Sequence, residues 1–185
     1  LGTRIHYGQS LDEDDYWAYH IDHDWNPQQV RRTLAELPGL TPQPKNEQTP
    51  FKLSYYYDPQ TAPSVEDIIA LLRQKDQTVN VMSSFGQFLD IVPSRASKGQ
   101  ALRYVSQRLS IPLENILAVG GSGGDEDMMR GNTLAVVVAN RHHEELSQLV
   151  DQERIYFASK PHAFGILEAI DHYDFFNACD VPRDS

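Results

Sequence analysis

The sequence predicts an α/β protein, on three observations. Strand-like and helix-like signals alternate along almost the whole chain. Two short apolar runs, Ile116 to Val119 and Leu134 to Val138, lack the polar alternation of a half-solvated sheet and read as buried parallel strands. A glycine-rich turn, Gly120 to Gly124, follows the first of these, where a parallel strand hands over to a helix.

Taken in order, the chain opens in what reads as a strand, with Thr3, Ile5 and Tyr7 alternating with Arg4 and His6. Tyr16 to Ile21 is rich in residues that favour strands and is expected to form one. Asn26 can cap a helix with Pro27 in its first turn and Val30, Leu34 and Leu37 on its inner face, stopped by Pro38-Gly39. Phe51 to Tyr57 is a β-rich strand. Ser64, with Asp67 three residues on, resembles a capping box ahead of Val65, Ile68, Ile69, Leu71 and Leu72. Strands near Val79 to Ser83 and Phe88 to Val92 meet at a turn containing Gly86. This first half reads as an α/β unit with antiparallel strands.

Pro93 to Ser97 is the expected hinge. Beyond it, Ser97 can cap a helix whose inner face carries Ala101, Leu102, Val105 and Leu109. The two apolar strands, a helix over His143 to Val150 and another over Pro161 to His172 complete a βαβαβα order.

Composition narrows the function. The chain has 185 residues, 40% of them hydrophobic, enough to fill a sizeable core. Asp plus Glu number 26 against 16 Lys plus Arg, a formal net charge of −10, which disfavours nucleic acid and anionic membrane as partners. No apolar run approaches the roughly 20 residues of a membrane span. The single Cys179 can form no internal disulfide and no cysteine-based zinc site, which suits a soluble, cytoplasmic protein. Because Leu1-Gly2-Thr3 already lies in strand-like sequence without an initiator Met, the chain is expected to be a piece of a longer protein.

Few residues carry chemistry by pattern alone. The glycine turn lacks the Lys-Ser or Lys-Thr of a Walker phosphate loop, and its glycines are out of register for dinucleotide binding. It delivers Asp125, Glu126 and Asp127 to a helix start, where they can complement the dipole or hold a hard cation such as Mg²⁺. Lys98, in the first turn of its helix, opposes that helix's dipole by about 0.3–1 kcal/mol and is either solvated or placed to meet an anion such as phosphate. His20 with His23 and His142 with His143 lack a third ligand and read as surface histidines. Tyr56 shares a strand face with Lys52 and Ser54, which could line a polar sugar-binding surface. Asp90 alternates with Phe88 and Val92 on an apolar face and needs a partner, for which Lys52 and Arg95 are the candidates.

Five stretches together resemble the sucrose-phosphatase branch of the haloacid dehalogenase-like phosphatases, a domain also found at the C-terminus of sucrose-phosphate synthases. They are LGTRIHYG at the start, NEQTPFKLSYY, LDIVPSRASKGQAL, LAVGGSGGDEDMM and GILEAIDHYDF. The resemblance implies an incomplete Rossmann-like core with an α/β cap of C2 type: a core strand in 1–12, a sugar-facing cap in 13–93, the second half of the core in 94–176 and a tail in 177–185. It implies hydrolysis of sucrose 6-phosphate through an aspartyl-phosphate with Mg²⁺. Lys98 matches the lysine that neutralises the phosphate, and Asp125 the second acid of the metal loop. Glu47, Gln48, Lys52, Gln87 and Asp90 fall in stretches that face the sugar.

The pattern is also broken. Where the family reads Gly-Asp-Ser-Gly-Asn-Asp, this chain has Gly121 in place of the first acid and Gly124 in place of the Asn. The N-terminal Asp-x-Asp motif that supplies the nucleophile is absent, as is the hydroxyl-bearing second motif, and Gln87 stands where a basic residue is common. Two readings follow. One is a degenerate module that binds sugar phosphate or sucrose, or braces a glycosyltransferase domain; the other is an active phosphatase completed by an upstream core segment.

Overall fold

A computed structural model of the chain describes residues 1–141 and 154–179, and it divides into two compact units, Leu1–Ser97 and Lys98–Ser185. Among the described residues, no helix is long and apolar enough to cross a membrane.

In the first unit, β1 (His6–Tyr7) pairs antiparallel with β2 (Asp12–Glu13) in a two-stranded ladder of its own. The run from Tyr16 to Ile21, expected as a strand, is instead helical as α1 (Asp15–Ile21). The Asp14 carboxylate accepts the Trp17 amide at 2.9 Å, capping the first turn. Trp17 and Ile21, four residues apart, are buried together while Tyr16 and Tyr19 stay exposed. A cap and a one-sided apolar stripe outweigh the strand preference of the individual residues.

Helix α2 (Pro27–Leu34) follows the sequence closely, with the Asn26 side chain accepting the Gln29 amide at 3.0 Å and Val30 and Leu34 buried. It ends before Gly39, whose φ of +71° and close approach to Ala62 leave no room for a side chain. Four antiparallel strands form the main sheet of the unit: β3 (Leu40–Pro42), β4 (Leu53–Tyr57), β5 (Val79–Ser84) and β6 (Phe88–Pro93), in the order β3-β4-β6-β5. Phe85 and Gly86 both have positive φ at the β5–β6 turn, as a tight hairpin requires. Between β4 and β5 runs α3 (Val65–Gln74), capped by Ser64, whose hydroxyl also donates to Asp67.

One face of the sheet is covered. Leu53, Tyr55, Leu89 and Ile91 pack with Val30 and Leu34 of α2 and Ile68 and Leu72 of α3. The opposite parity carries Ser54, Tyr56, Phe88 and Asp90, with Ser54 paired to Asp90 and Tyr56 to Phe88 across the strands. Asp90 shares this face with Phe88 and the buried Val92, as expected, but its partner is neither Lys52 nor Arg95: the Ser54 hydroxyl donates to it at 2.5 Å.

The second unit holds α4 (Lys98–Leu109), then three parallel strands, β7 (Leu117–Gly120), β8 (Leu134–Val137) and β9 (Ile155–Phe157), in that order across the sheet. The short helix α5 (Glu126–Met129) lies between β7 and β8, and α6 (His162–His172) and α7 (Phe175–Ala178) follow β9. Of the expected inner face of α4, Leu102 packs on the core of this unit and Ala101 and Val105 are half-buried, but Leu109 is not part of it. The most buried residues of the helix are Gly99 and Ser106, and Leu109 is exposed. Ser106 tolerates burial because its hydroxyl donates to the Ile111 carbonyl at 2.6 Å, and a side chain at position 99 would collide with Asp127. The helix expected over His143–Val150 and the His142 and His143 pair lie outside the described residues.

Candidate functional site

The carboxyl end of β7 opens into the glycine turn, which tightens into a 3-10 turn over Gly123–Asp125 before α5. Ser122 and Asp125 cap this turn reciprocally, each side chain meeting the other's backbone amide. Gly120 is obligatory, because a Cβ there would stand 2.4 Å from Asp125 Cβ. The turn delivers Asp125 inward, 9% exposed, against the first residue of α4.

Every oxygen of Asp125 is engaged. Lys98 Nζ donates to Oδ1 at 2.5 Å. Oδ2 accepts from the Gly121 amide at 3.0 Å, the Ser122 amide at 3.1 Å and the Ser122 hydroxyl at 3.0 Å. Burial pushes the Asp125 carboxyl upward, but the Lys98 hydrogen bond, the Gly121 amide, the Lys98 charge and the Ser122 amide together hold it below its ordinary value. A carboxylate stabilised this way is a weak nucleophile and a weak base. Lys98 is a donor with capacity left: its side chain is 34% exposed, and an ammonium has three protons.

The neighbouring acids are committed elsewhere. Asp127 accepts the Gly99 amide at 2.8 Å, satisfying an orphan donor at the start of α4, and lies beside Arg103. Glu126 pairs with Arg130 one helical turn on. Among the described residues no three metal-ligating side chains converge. The turn thus offers Mg²⁺ one acid, Asp125, with both oxygens already engaged, and no other ligating groups converge on it among the described residues, so these residues do not fit the cation that the family resemblance implies.

The sugar-facing candidates gather around Ser54. Its hydroxyl meets Asp90 and, at 3.2 Å, the Glu47 carbonyl. The Gln48 side chain accepts the Ser54 amide at 3.0 Å and donates to the Ser54 carbonyl at 2.8 Å, imitating a neighbouring strand. Its amide is therefore spent on the backbone. The Glu47 carboxylate is exposed and, among the described residues, accepts only from Asn46, at 3.1 Å. Lys52 is half-buried beside β4 and forms no ion pair among the described residues. Gln87 stands at the hairpin end of β6, its carbonyl accepting the Tyr57 amide at 2.8 Å, and its exposed side chain is apart from the Ser54 cluster. Ser54, expected only to line this face beside Lys52 and Tyr56, is its hub. Its signal was a small hydroxyl in a strand otherwise made of large residues. Among the described residues the histidines form no metal cluster: the His20 ring lies tilted 5.5 Å from that of Trp17, and His23 pairs with Asp24 at 2.9 Å.

A parallel sheet with a lysine–aspartate pair at its glycine turn, and an antiparallel α/β unit in the same chain, define the mixed α/β fold of the haloacid dehalogenase-like phosphatases. The sucrose-phosphatase of Synechocystis, solved in complex with sucrose and phosphate, matches with a TM-score of 0.85 and 33% identity over 94% of this chain and 71% of that one. The chain belongs to the sucrose-6F-phosphate phosphohydrolase family, whose model matches residues 1–174. Sucrose-phosphatase 1 of Nicotiana tabacum is 32% identical over 184 residues, covering 94% of this chain but 43% of its own length. The mannosylfructose-phosphate phosphatase of Agrobacterium fabrum is 25% identical, covering 94% of this chain and 70% of its own. The chain thus spans less than half the length of its plant relatives.

Proposed function

We propose that this chain is a sucrose-phosphatase-like module that binds sugar phosphate without hydrolysing it, and that it serves as a binding or bracing domain at the C-terminus of a cytoplasmic sucrose-phosphate synthase. The observation that carries the reading is the saturation of Asp125 by Lys98, Gly121 and Ser122, with no other free acid in the turn. Gly121 and Gly124 in place of the family's acid and amide support it further. Losing even a residue that merely orients a metal ligand costs about 10- to 100-fold in affinity, so losing a ligand costs at least as much.

The ligand class is supported by the Synechocystis relative, which was solved with sucrose and phosphate. Lys98 supplies a cation for the phosphate. On the other unit, Lys52 and Glu47 offer unspent polar groups for sugar hydroxyls. The core strand in 1–12, the cap in 13–93 and the half-core in 94–176 belong to the same proposal.

A second reading has its own support. Lys98 is partly exposed and keeps protons for a phosphate, and the chain covers 43% of the Nicotiana relative's length, so a nucleophile supplied by polypeptide outside these 185 residues would make an active enzyme.

Calorimetric titration with sucrose 6-phosphate tests the binding. Saturable binding is expected, weakened about tenfold in Lys52→Ala and again in Lys98→Ala, the usual effect of removing a charged hydrogen-bond partner. An isotherm unchanged in both variants would reject the assignment.

A further inference from the structure

On the helix-covered side of the antiparallel sheet, a groove of 770 Å³ runs between α2 and the edge strand β3, with Gln48, whose side chain is spent on the Ser54 backbone, in its lining. Its floor is apolar, from Leu34, Leu40 and their neighbours. Arg31 and Lys45 are the charged residues lining it, and no acidic residue does. This is a local excess of positive charge in a chain of net charge −10. Neither cation has an ion-pair partner among the described residues.

Tyr55 supplies a second, independent observation. It is 4% exposed, it lines the groove, and its hydroxyl has no hydrogen-bond partner among the described residues. That hydroxyl is reached by solvent rather than sealed in the core, so a ligand entering the groove meets an unspent donor. Burial pushes the phenol upward despite the nearby charge of Arg31, so it remains a proton donor at neutral pH. Gln43, its amide donating to the Tyr55 carbonyl at 3.1 Å, keeps a side-chain oxygen as an acceptor.

We propose that this groove is a ligand site built from residues other than Lys98, Asp125, Ser54 and Asp90, and that it takes a phosphate monoester of a flat, largely apolar body. Two cations from different elements and a phenol donor suit a phosphate dianion. The apolar floor suits an aromatic or alicyclic body better than a hydroxyl-rich sugar. The volume lies within the range of about 300–1,000 Å³ usual for small-molecule sites. This inference stands independently of whether the module turns over sugar phosphate.

The test is titration of the whole chain with adenosine 5′-monophosphate and with 1-naphthyl phosphate, using adenosine and inorganic phosphate as the two half-ligands. At least one ester should bind saturably in the low-millimolar range or tighter, and each half-ligand about tenfold more weakly. Arg31→Gln and Lys45→Gln should each weaken the ester about tenfold, and Tyr55→Phe severalfold, with unchanged thermal melting. Lys98→Ala should leave the affinity unchanged. Failure of both esters to saturate would overturn the proposal, as would binding that Lys98→Ala abolishes and Arg31→Gln spares. Inorganic phosphate binding as tightly as the esters would overturn its apolar half.

Discussion

Lys98 stands 2.5 Å from Asp125, tying the first residue of α4 to the turn that follows β7. A lysine that opposes its own helix dipole is stabilised by a buried carboxylate, and the carboxylate in turn orders the glycine turn through Gly121 and Ser122. One ion pair therefore serves both the fold of the second unit and its capacity to meet an anion.

Lys98→Met should destabilise the chain by about 1–3 kcal/mol at neutral pH, less than a fully buried pair because the lysine is partly solvated. Asp125 has a folded value below its unfolded value of about 3.9. Its stabilising contribution is full above that pH and is lost as pH falls through the depressed value. Without Lys98 the carboxyl rises, so acid destabilisation should begin at a higher pH. Urea unfolding across pH 2 to 6 checks this, and superimposable acid limbs would contradict it.

The two adjacent glycines should respond differently. Gly120→Ala drives a methyl to 2.4 Å from Asp125 Cβ and should cost about 1–3 kcal/mol. At Gly121 the nearest atom to an added Cβ is Val138 Cγ2 at 3.3 Å and the backbone is not left-handed, so Gly121→Asp requires only a slight shift of a flexible methyl. That variant should fold and bind Mg²⁺ about tenfold or more tightly than the native chain. Equal thermal stability of Gly120→Ala and Gly121→Ala would refute the difference.

Much of this was legible in the sequence, and the exceptions share a cause. Asn26, Pro27 and Ser64 announced their helices because capping is local chemistry. The strands around Leu89 and Val136 were legible because a short apolar run has few other fates. Tyr16 to Ile21 misled because its residue types favour strands, while its burial depends on Trp17 and Ile21 meeting a core that sequence does not display. The partner of Asp90 was missed because it is set by register with Ser54, a fact about a second strand. The strand β9 is three residues long, too short for a periodicity to show. In the site, the residue types of Lys98 and Asp125 were readable, but the saturation of Asp125 required coordinates.

Ser54→Ala should cost about 1–3 kcal/mol, since it strips Asp90 of its donor and removes a side chain that is 1% exposed. In a double-mutant cycle with Asp90→Ala, the pair should couple by about 1 kcal/mol or more. Additive losses in chemical denaturation would show that the two residues act independently.

Gln48 and Glu47 should separate stability from binding. Gln48→Ala leaves the Ser54 amide without its partner, while the Ser54 carbonyl keeps the Gln43 amide at 2.9 Å, and should cost about 1–3 kcal/mol. Glu47→Ala, at an exposed carboxylate, should stay within about 0.5 kcal/mol in thermal melting while weakening sucrose 6-phosphate. A larger loss of stability at Glu47 than at Gln48 would invert these roles.

The most direct measurement is phosphate release from sucrose 6-phosphate by the purified 185-residue chain in the presence of Mg²⁺. With Asp125 held by Lys98, Gly121 and Ser122, and with no other free acid in the turn, the account predicts release no faster than a buffer blank. Turnover that survives rigorous purification and is abolished by Lys98→Ala would contradict it.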